Sequence, residues 1–244
     1  MKLLFRAELT KLWTLPGTFW QLLSIAVLTG LVSTATAATV HCPCPQDVPK
    51  AVLTGVLLGQ AAVAIVAVVF VSGEYSSGLV QLTLIAMPRR TLVLAAKAAI
   101  VTGLVLVAAA VGVAGSMIAG RLMIPSLALD DRTVLRAAGG SVLYLGLIAL
   151  LALGIATMVR DTAVAIGAVL GLLFLFPILA GLATDPHWQR RLQQIGPMPA
   201  GLAIQATTHL DVLPIGPWPG LGVLALWSFG AVAAGAALFE ARDA

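Results

Sequence analysis

Residues Gly73 to Arg90 read GEYSSGLVQLTLIAMPRR and separate two long apolar runs, Ala51 to Ser72 and Leu92 to Ala119. The stretch is too short to be a domain. It carries the first acidic residue after a span (Glu74), a tyrosine beside it, and a Pro-Arg-Arg end. Between apolar flanks, that pattern predicts one or two amphipathic turns on a membrane surface, with Arg89 and Arg90 held to phospholipid headgroups. The plain alternative is a solvated connector between two hairpin helices.

The composition around it decides the class. Of 244 residues, 60% are hydrophobic and only 10% charged, where soluble proteins carry about 25% charged residues. A soluble chain of this size still needs a polar skin, and this one has too little to make it. An all-α polytopic membrane protein is expected, residues 1–244 forming a single transmembrane domain. The formal charge of +4 does not imply nucleic acid as a partner. The basic residues lie scattered at span ends rather than in a stripe, and they read as topology signals.

Outward from the central stretch, six spans are legible. Met1 to Leu15 reads as an amphipathic helix at the interface, Leu4, Phe5, Leu9, Leu12 and Trp13 sharing one face and Glu8 pairing with Lys11 three residues on. Pro16-Gly17 breaks it, so residues 1–16 form an elbow before the first span, Phe19 to Ala38. That span resembles a signal peptide in its basic start and Ala35-Thr36-Ala37. Its apolar part, however, exceeds the usual h-region of about 7–15 residues, so a retained span is expected. Ala51 to Ser72 is the second span, with Gly55 and Gly59 as a GxxxG face and Gln60 as its only amide. Leu92 to Ala119 is the third, Lys97 near its end able to snorkel. Arg121 to Arg136 reads as a mixed connecting segment, and Ala138 to Val159 as the fourth span. Arg160-Asp161 makes a tight return into the fifth, Ala163 to Leu182, with Gly167 and Gly171 as a second GxxxG and Pro177 as a kink. Residues 184–219 form a Pro-rich external loop whose Ala200 to Ala206 piece is expected to dip into the leaflet, and Gly220 to Phe239 is the sixth span.

Six spans put both termini on one side, with residues 73–91 as a loop on that same side. With that side as the cytosol, it holds eight basic residues (Lys2, Arg6, Lys11, Arg89, Arg90, Lys97, Arg160, Arg242) against six on the other. Three basic residues precede the first span and one, Lys50 on the other side, follows it, so both ends are expected inside.

Several chemistries are excluded by what the spans lack. None of their apolar cores contains Asp, Glu, Lys, Arg or His, the groups an ion-coupled carrier uses to hold and release its ion. No lysine follows a glycine, so there is no GxxxxGK[ST] phosphate loop. His41, His187 and His209 all fall outside the spans, which removes an intramembrane Ser–His hydrolase or zinc protease. His41-Cys42-Pro43-Cys44 begins a soft-metal pattern or a bridge to a second copy, without an evident fourth ligand. No catalytic residue and no metal site are assigned. A transporter without an ion site or an ATPase must be energised by another subunit.

GEYSSGLVQLTLIAMPRRTLVLAAK resembles the first cytosolic loop of ABC type-2 transporter permeases, matching at Glu74, Tyr75, Gly78, Leu84, Pro88, Arg90, Leu94 and Lys97. RAELTKLWT is similar to that family's elbow helix, and IATMVRDTAVAIGAVLGLLFLFPIL to its fourth-to-fifth span return. Gly196-Pro197 through Gly201 is similar to its segment before the last span. The resemblance implies a bacterial cytoplasmic-membrane permease that pairs with a second, identical or homologous permease copy, with a nucleotide-binding ATPase docked beneath each. ATP and Mg would sit on that partner, and this chain would hold no cofactor. Coupling would run through Glu74, Tyr75, Gly78, Pro88, Arg89 and Arg90, helped by Glu8 and Lys11. The path between the copies, lined by the second and fifth spans, would take in Gly55, Gly59, Gln60, Gly167, Gly171 and Phe174. One departure from the family is the small external region, which lacks room for a folded extracellular domain.

The expected function is therefore that of the membrane subunit of an ATP-driven exporter for a lipophilic or amphiphilic compound: a drug, antibiotic, peptide or lipid. A non-transporting immunity or sensor component is the alternative from another class, and an ion-coupled carrier the third.

Overall fold

The computed structural model describes residues 16–39, 47–76, 90–124, 127, 130–182 and 184–242. The elbow helix with Glu8 and Lys11, the Cys42 and Cys44 loop, and Gly78, Leu84, Pro88 and Arg89 lie outside them. Among the described residues there is no strand, and six helices are long and apolar enough to cross a membrane.

The first is α1, Pro16–Thr39, and the proline at its start is where a missing N–H costs nothing. The second span is built from a short α2, Val48–Val52, and α3, Gly55–Ser76. Asp47 caps α2 by accepting from the Lys50 N–H, so this span starts earlier than the apolar run.

The next two helices also outrun their sequence limits. Helix α4, Arg90–Met123, has 34 residues, about 50 Å at 1.5 Å per residue. It overshoots a hydrocarbon core of about 30 Å. Arg121 does not end it. Its guanidinium instead donates to the Leu127 carbonyl at 2.8 Å, and the helix stops just before Pro125, which disfavours helical backbone in the residue before it. Helix α5, Arg132–Val159, starts where Asp131 accepts from the Thr133 N–H at 2.8 Å. The mixed segment expected over 121–136 is thus helical at both ends, because charged residues at a membrane edge snorkel without breaking a helix.

The return after α5 is as tight as its two residues require. Arg160 closes the helix in the left-handed conformation (φ 62°), and Asp161 accepts from the Val164 N–H to open α6, Thr162–Leu170. A π turn, Gly171–Leu175, then leads into α7, Phe176–Gly181. Proline at 177 has no N–H and its ring crowds the carbonyl four residues back. The widened turn absorbs this, the Phe176 N–H reaching the Gly171 carbonyl five residues behind.

Residues 184–216 are an ordered cap. Helix α8, Pro186–Ile195, is strongly amphipathic and has no buried residue. It is followed by α9, Pro197–Leu202, and a 3-10 turn, Ala203–Gln205. Ala200, Ile204 and Ala206 are buried, so the piece expected to dip into the leaflet packs against protein. Gly201 lies against the Tyr144 ring of α5, where a Cβ would come within 2.6 Å. The last span is α10, Pro217–Arg242.

Helix α5 is the hub. It packs on α3, α4, α6 and α10, while α1 is held outside against α3 and α4. Tyr144, Leu145, Ile148, Leu151, Leu153 and Ala156 are fully enclosed. Small residues bring the neighbours close: a Cβ on Gly154 would stand 2.5 Å from the Ala231 carbonyl carbon of α10.

Candidate functional site: a polar interior under a cap

The two GxxxG pairs that share one sequence spacing have different surroundings. Gly55 and Gly59 of α3 are filled by α1: a Cβ on Gly55 would overlap the Thr29 carbonyl, and one on Gly59 would overlap the Thr29 hydroxyl. The Gly55 N–H also donates to Ser33 Oγ at 3.2 Å. Gly167 and Gly171 meet nothing within 4 Å, and Phe174 is half-buried against the core. The first pair therefore closes the bundle on itself, and the second stands on an open face.

Gln60 is likewise internal. It is 0% exposed, and its Oε1 accepts from the hydroxyl of Tyr144, also 0% exposed. Its Nε2 has no partner among the described residues. The pair owns three donor hydrogens, two on the amide and one on the phenol. In either orientation of the amide at least two of them lack an acceptor. Two buried donors short of acceptors would prefer a water or a ligand oxygen.

One turn along α5 toward the cap, Ser141 accepts from Gln205 Nε2 at 3.1 Å and donates to the Ala137 carbonyl at 2.7 Å. Gln205, 5% exposed, belongs to the cap's 3-10 turn. It also borders a cavity of about 380 Å³ whose polar lining is Lys50, Thr54, Gln193 and Gln205, with Leu57 and Leu202 among its apolar walls. On α3, Leu57 of the cavity wall stands one turn before Gln60.

Three ties join the cap to the spans, and a fourth, between Gln194 and Pro214, closes the cap on itself. Asp47 accepts from the backbone N–H and hydroxyl of Thr207, both at 2.6 Å, and from the Thr208 N–H at 3.1 Å. The Arg136 guanidinium donates to the Ala206 carbonyl at 2.6 Å. Gln194 donates to the Pro214 carbonyl at 2.6 Å, and the Trp227 indole to the Ile195 carbonyl at 2.9 Å. Partial burial pushes the Asp47 carboxyl up. The hydrogen bonds from Thr207, Thr208 and Lys50 outweigh it and hold the group below its usual value.

The residues expected at the coupling loop are brought only partly into view. The backbone of Glu74 and Tyr75 continues α3 to Ser76, and Arg90 opens α4. Lys97, expected to snorkel, is 7% exposed and enclosed by the bundle. Sequence reasoning missed Tyr144, Ser141, Gln205 and Asp47. Only a lone Tyr in an apolar run, with an amide in another, could have signalled the first. Among the described residues no group of His, Cys, Asp or Glu could hold a metal ion.

Compared with models of known protein families and with curated proteins, the chain matches none.

Proposed function

We propose that this chain is the membrane-spanning permease subunit of an ATP-driven exporter in a bacterial cytoplasmic membrane, moving a lipophilic or amphiphilic compound and energised by a separate ATPase. The observation that carries the reading is the way α3 runs on as helix through Glu74 and Tyr75 while α4 begins at Arg90. A partner pressing on the loop between them would load the ends of two helices that both pack on α5. Among the described residues no acidic side chain is buried in a span, so no carboxylate is in place to carry a coupling ion. Lys97, enclosed in α4, is the one charged side chain buried in a span among the described residues, and on this reading the work comes from a partner below. Closure of an ATP-loaded partner dimer would push the Glu74 loops of two copies together. The open faces at Gly167 and Gly171 would then line or flank the path between them.

Purification from its native membrane tests the reading, with a stoichiometric ATPase expected to accompany the chain. A lone stable oligomer would favour the non-transporting component instead. In the reconstituted complex, Glu74→Ala should leave assembly intact while cutting both transport and substrate-stimulated ATP hydrolysis. Unchanged export by that variant removes the coupling role. Uphill transport by the chain alone in vesicles overturns the proposal.

A further inference from the structure

We infer that the cavity beneath the cap is a binding pocket, within a single copy of the chain, for the anionic headgroup of an amphiphile. The position comes first. Lys50 lies two residues inside the span that begins at Val48, which sets the rim at headgroup depth. A volume of about 380 Å³ stands at the low end of ligand pockets, about 300–1,000 Å³. It has room for a head and the first carbons of a chain, not for a whole lipid.

The chemistry of the lining selects the head. Lys50 is the one charged side chain among the described lining residues. The carboxylate nearest to it in sequence, Asp47, spends its oxygens on Thr207, Thr208 and the Lys50 backbone N–H. It leaves the Lys50 ammonium to another anion. Gln193 and Gln205 add amide donors. Leu57, Leu202 and Ile215 would cover the first methylenes. A cation with amide donors over apolar walls suits a phosphate monoester or a free carboxylate bearing an alkyl tail. It does not suit a cation or a sugar. The inference does not rest on an ATPase, since binding is a property of this chain alone.

The test uses the full chain in phosphatidylcholine nanodiscs, with dodecyl phosphate as the probe. Dodecyl maltoside serves as the neutral amphiphile and inorganic phosphate as the headless anion. Saturable binding of one dodecyl phosphate per chain is expected, with little binding of the other two. Lys50→Gln should weaken it about tenfold, the scale of one charge-assisted hydrogen bond, while Lys50→Arg retains it. Arg132→Gln, at the same end of the bundle but away from the lining, should change nothing. Lys50 is exposed, so the variants should fold with an unchanged melting temperature. Equal binding to Lys50→Gln, equal loss in Arg132→Gln, or loss in Lys50→Arg overturns the site. Dodecyl maltoside binding as tightly overturns the anionic head, and inorganic phosphate binding as tightly overturns the amphiphile.

Discussion

Asp47 and Thr207 are 160 residues apart, and both the backbone N–H and the hydroxyl of Thr207 donate to the Asp47 carboxylate at 2.6 Å. The contact joins the first turn of the second span to the cap that precedes the last. Oδ2 takes the Thr207 and Thr208 N–H groups, and Oδ1 takes the Thr207 hydroxyl and the Lys50 N–H. All four partners present hydrogens to it. A carboxylate answers that arrangement and an amide does not.

Asp47→Asn therefore turns an NH₂ toward donors whichever way it is flipped. The expected loss is about 1–2 kcal/mol, kept low by partial exposure, and hydrogen exchange at Thr207 and Thr208 should speed up. Acid should reproduce it. The folded carboxyl sits below the usual 3.8, so its contribution is fully present above that value and is lost as pH falls through the lower folded one. Protection of the Thr207 amide should be flat from about pH 5 to 8 and fall below about 3.8, whereas in Asp47→Asn it should be low and flat throughout. Acid-insensitive protection in the parent would sink the clamp.

The glycine pairs give a second, opposed expectation. Gly55→Ala drives a methyl into the Thr29 carbonyl and to 2.9 Å from the Ser33 N, so α1 must separate from α3. That is overpacking, about 1–3 kcal/mol of destabilisation, large against the gain of about 1 kcal/mol that alanine brings to a helix. Gly167→Ala meets nothing within 4 Å and should leave the fold as stable or slightly more so. Thermal unfolding of the two variants in one detergent checks the contrast, and equal effects would refute the assigned packing.

Those pairs also mark what a sequence can and cannot disclose. The six spans were legible because lipid demands uninterrupted apolar runs, and each run fell within a few residues of a helix. Helix ends were less so: Arg121 and Arg132 looked like a connector, yet snorkelling lets charges belong to helices at the interface. Gly55 and Gly167 begin the same motif, and only the placement of Thr29 and Ser33 on α1 separates them. The cap over the cavity and the Gln60–Tyr144 pair depend on residues 64 to 160 apart, a distance no local pattern spans. The stretch from Gly73 to Arg90 reads as a surface loop in the sequence, and its first four residues continue α3 while Arg90 opens α4.

The pair in the interior makes the sharpest quantitative claim. Tyr144→Phe keeps the ring that packs on Gly201 and strips Gln60 of its one described partner. The Gln60 amide would then be wholly unpaired in a fully buried site. Polar contacts between membrane helices average about 0.6 and reach about 1.7 kcal/mol, and total enclosure argues for the upper end, about 1–2 kcal/mol. Gln60→Leu removes two surplus donors along with one acceptor, so it should cost less than Tyr144→Phe. The double variant should then be more stable than the sum of single losses allows. A cycle run by unfolding in mixed micelles measures the coupling directly. Strict additivity would mean that the phenol and the amide do not meet.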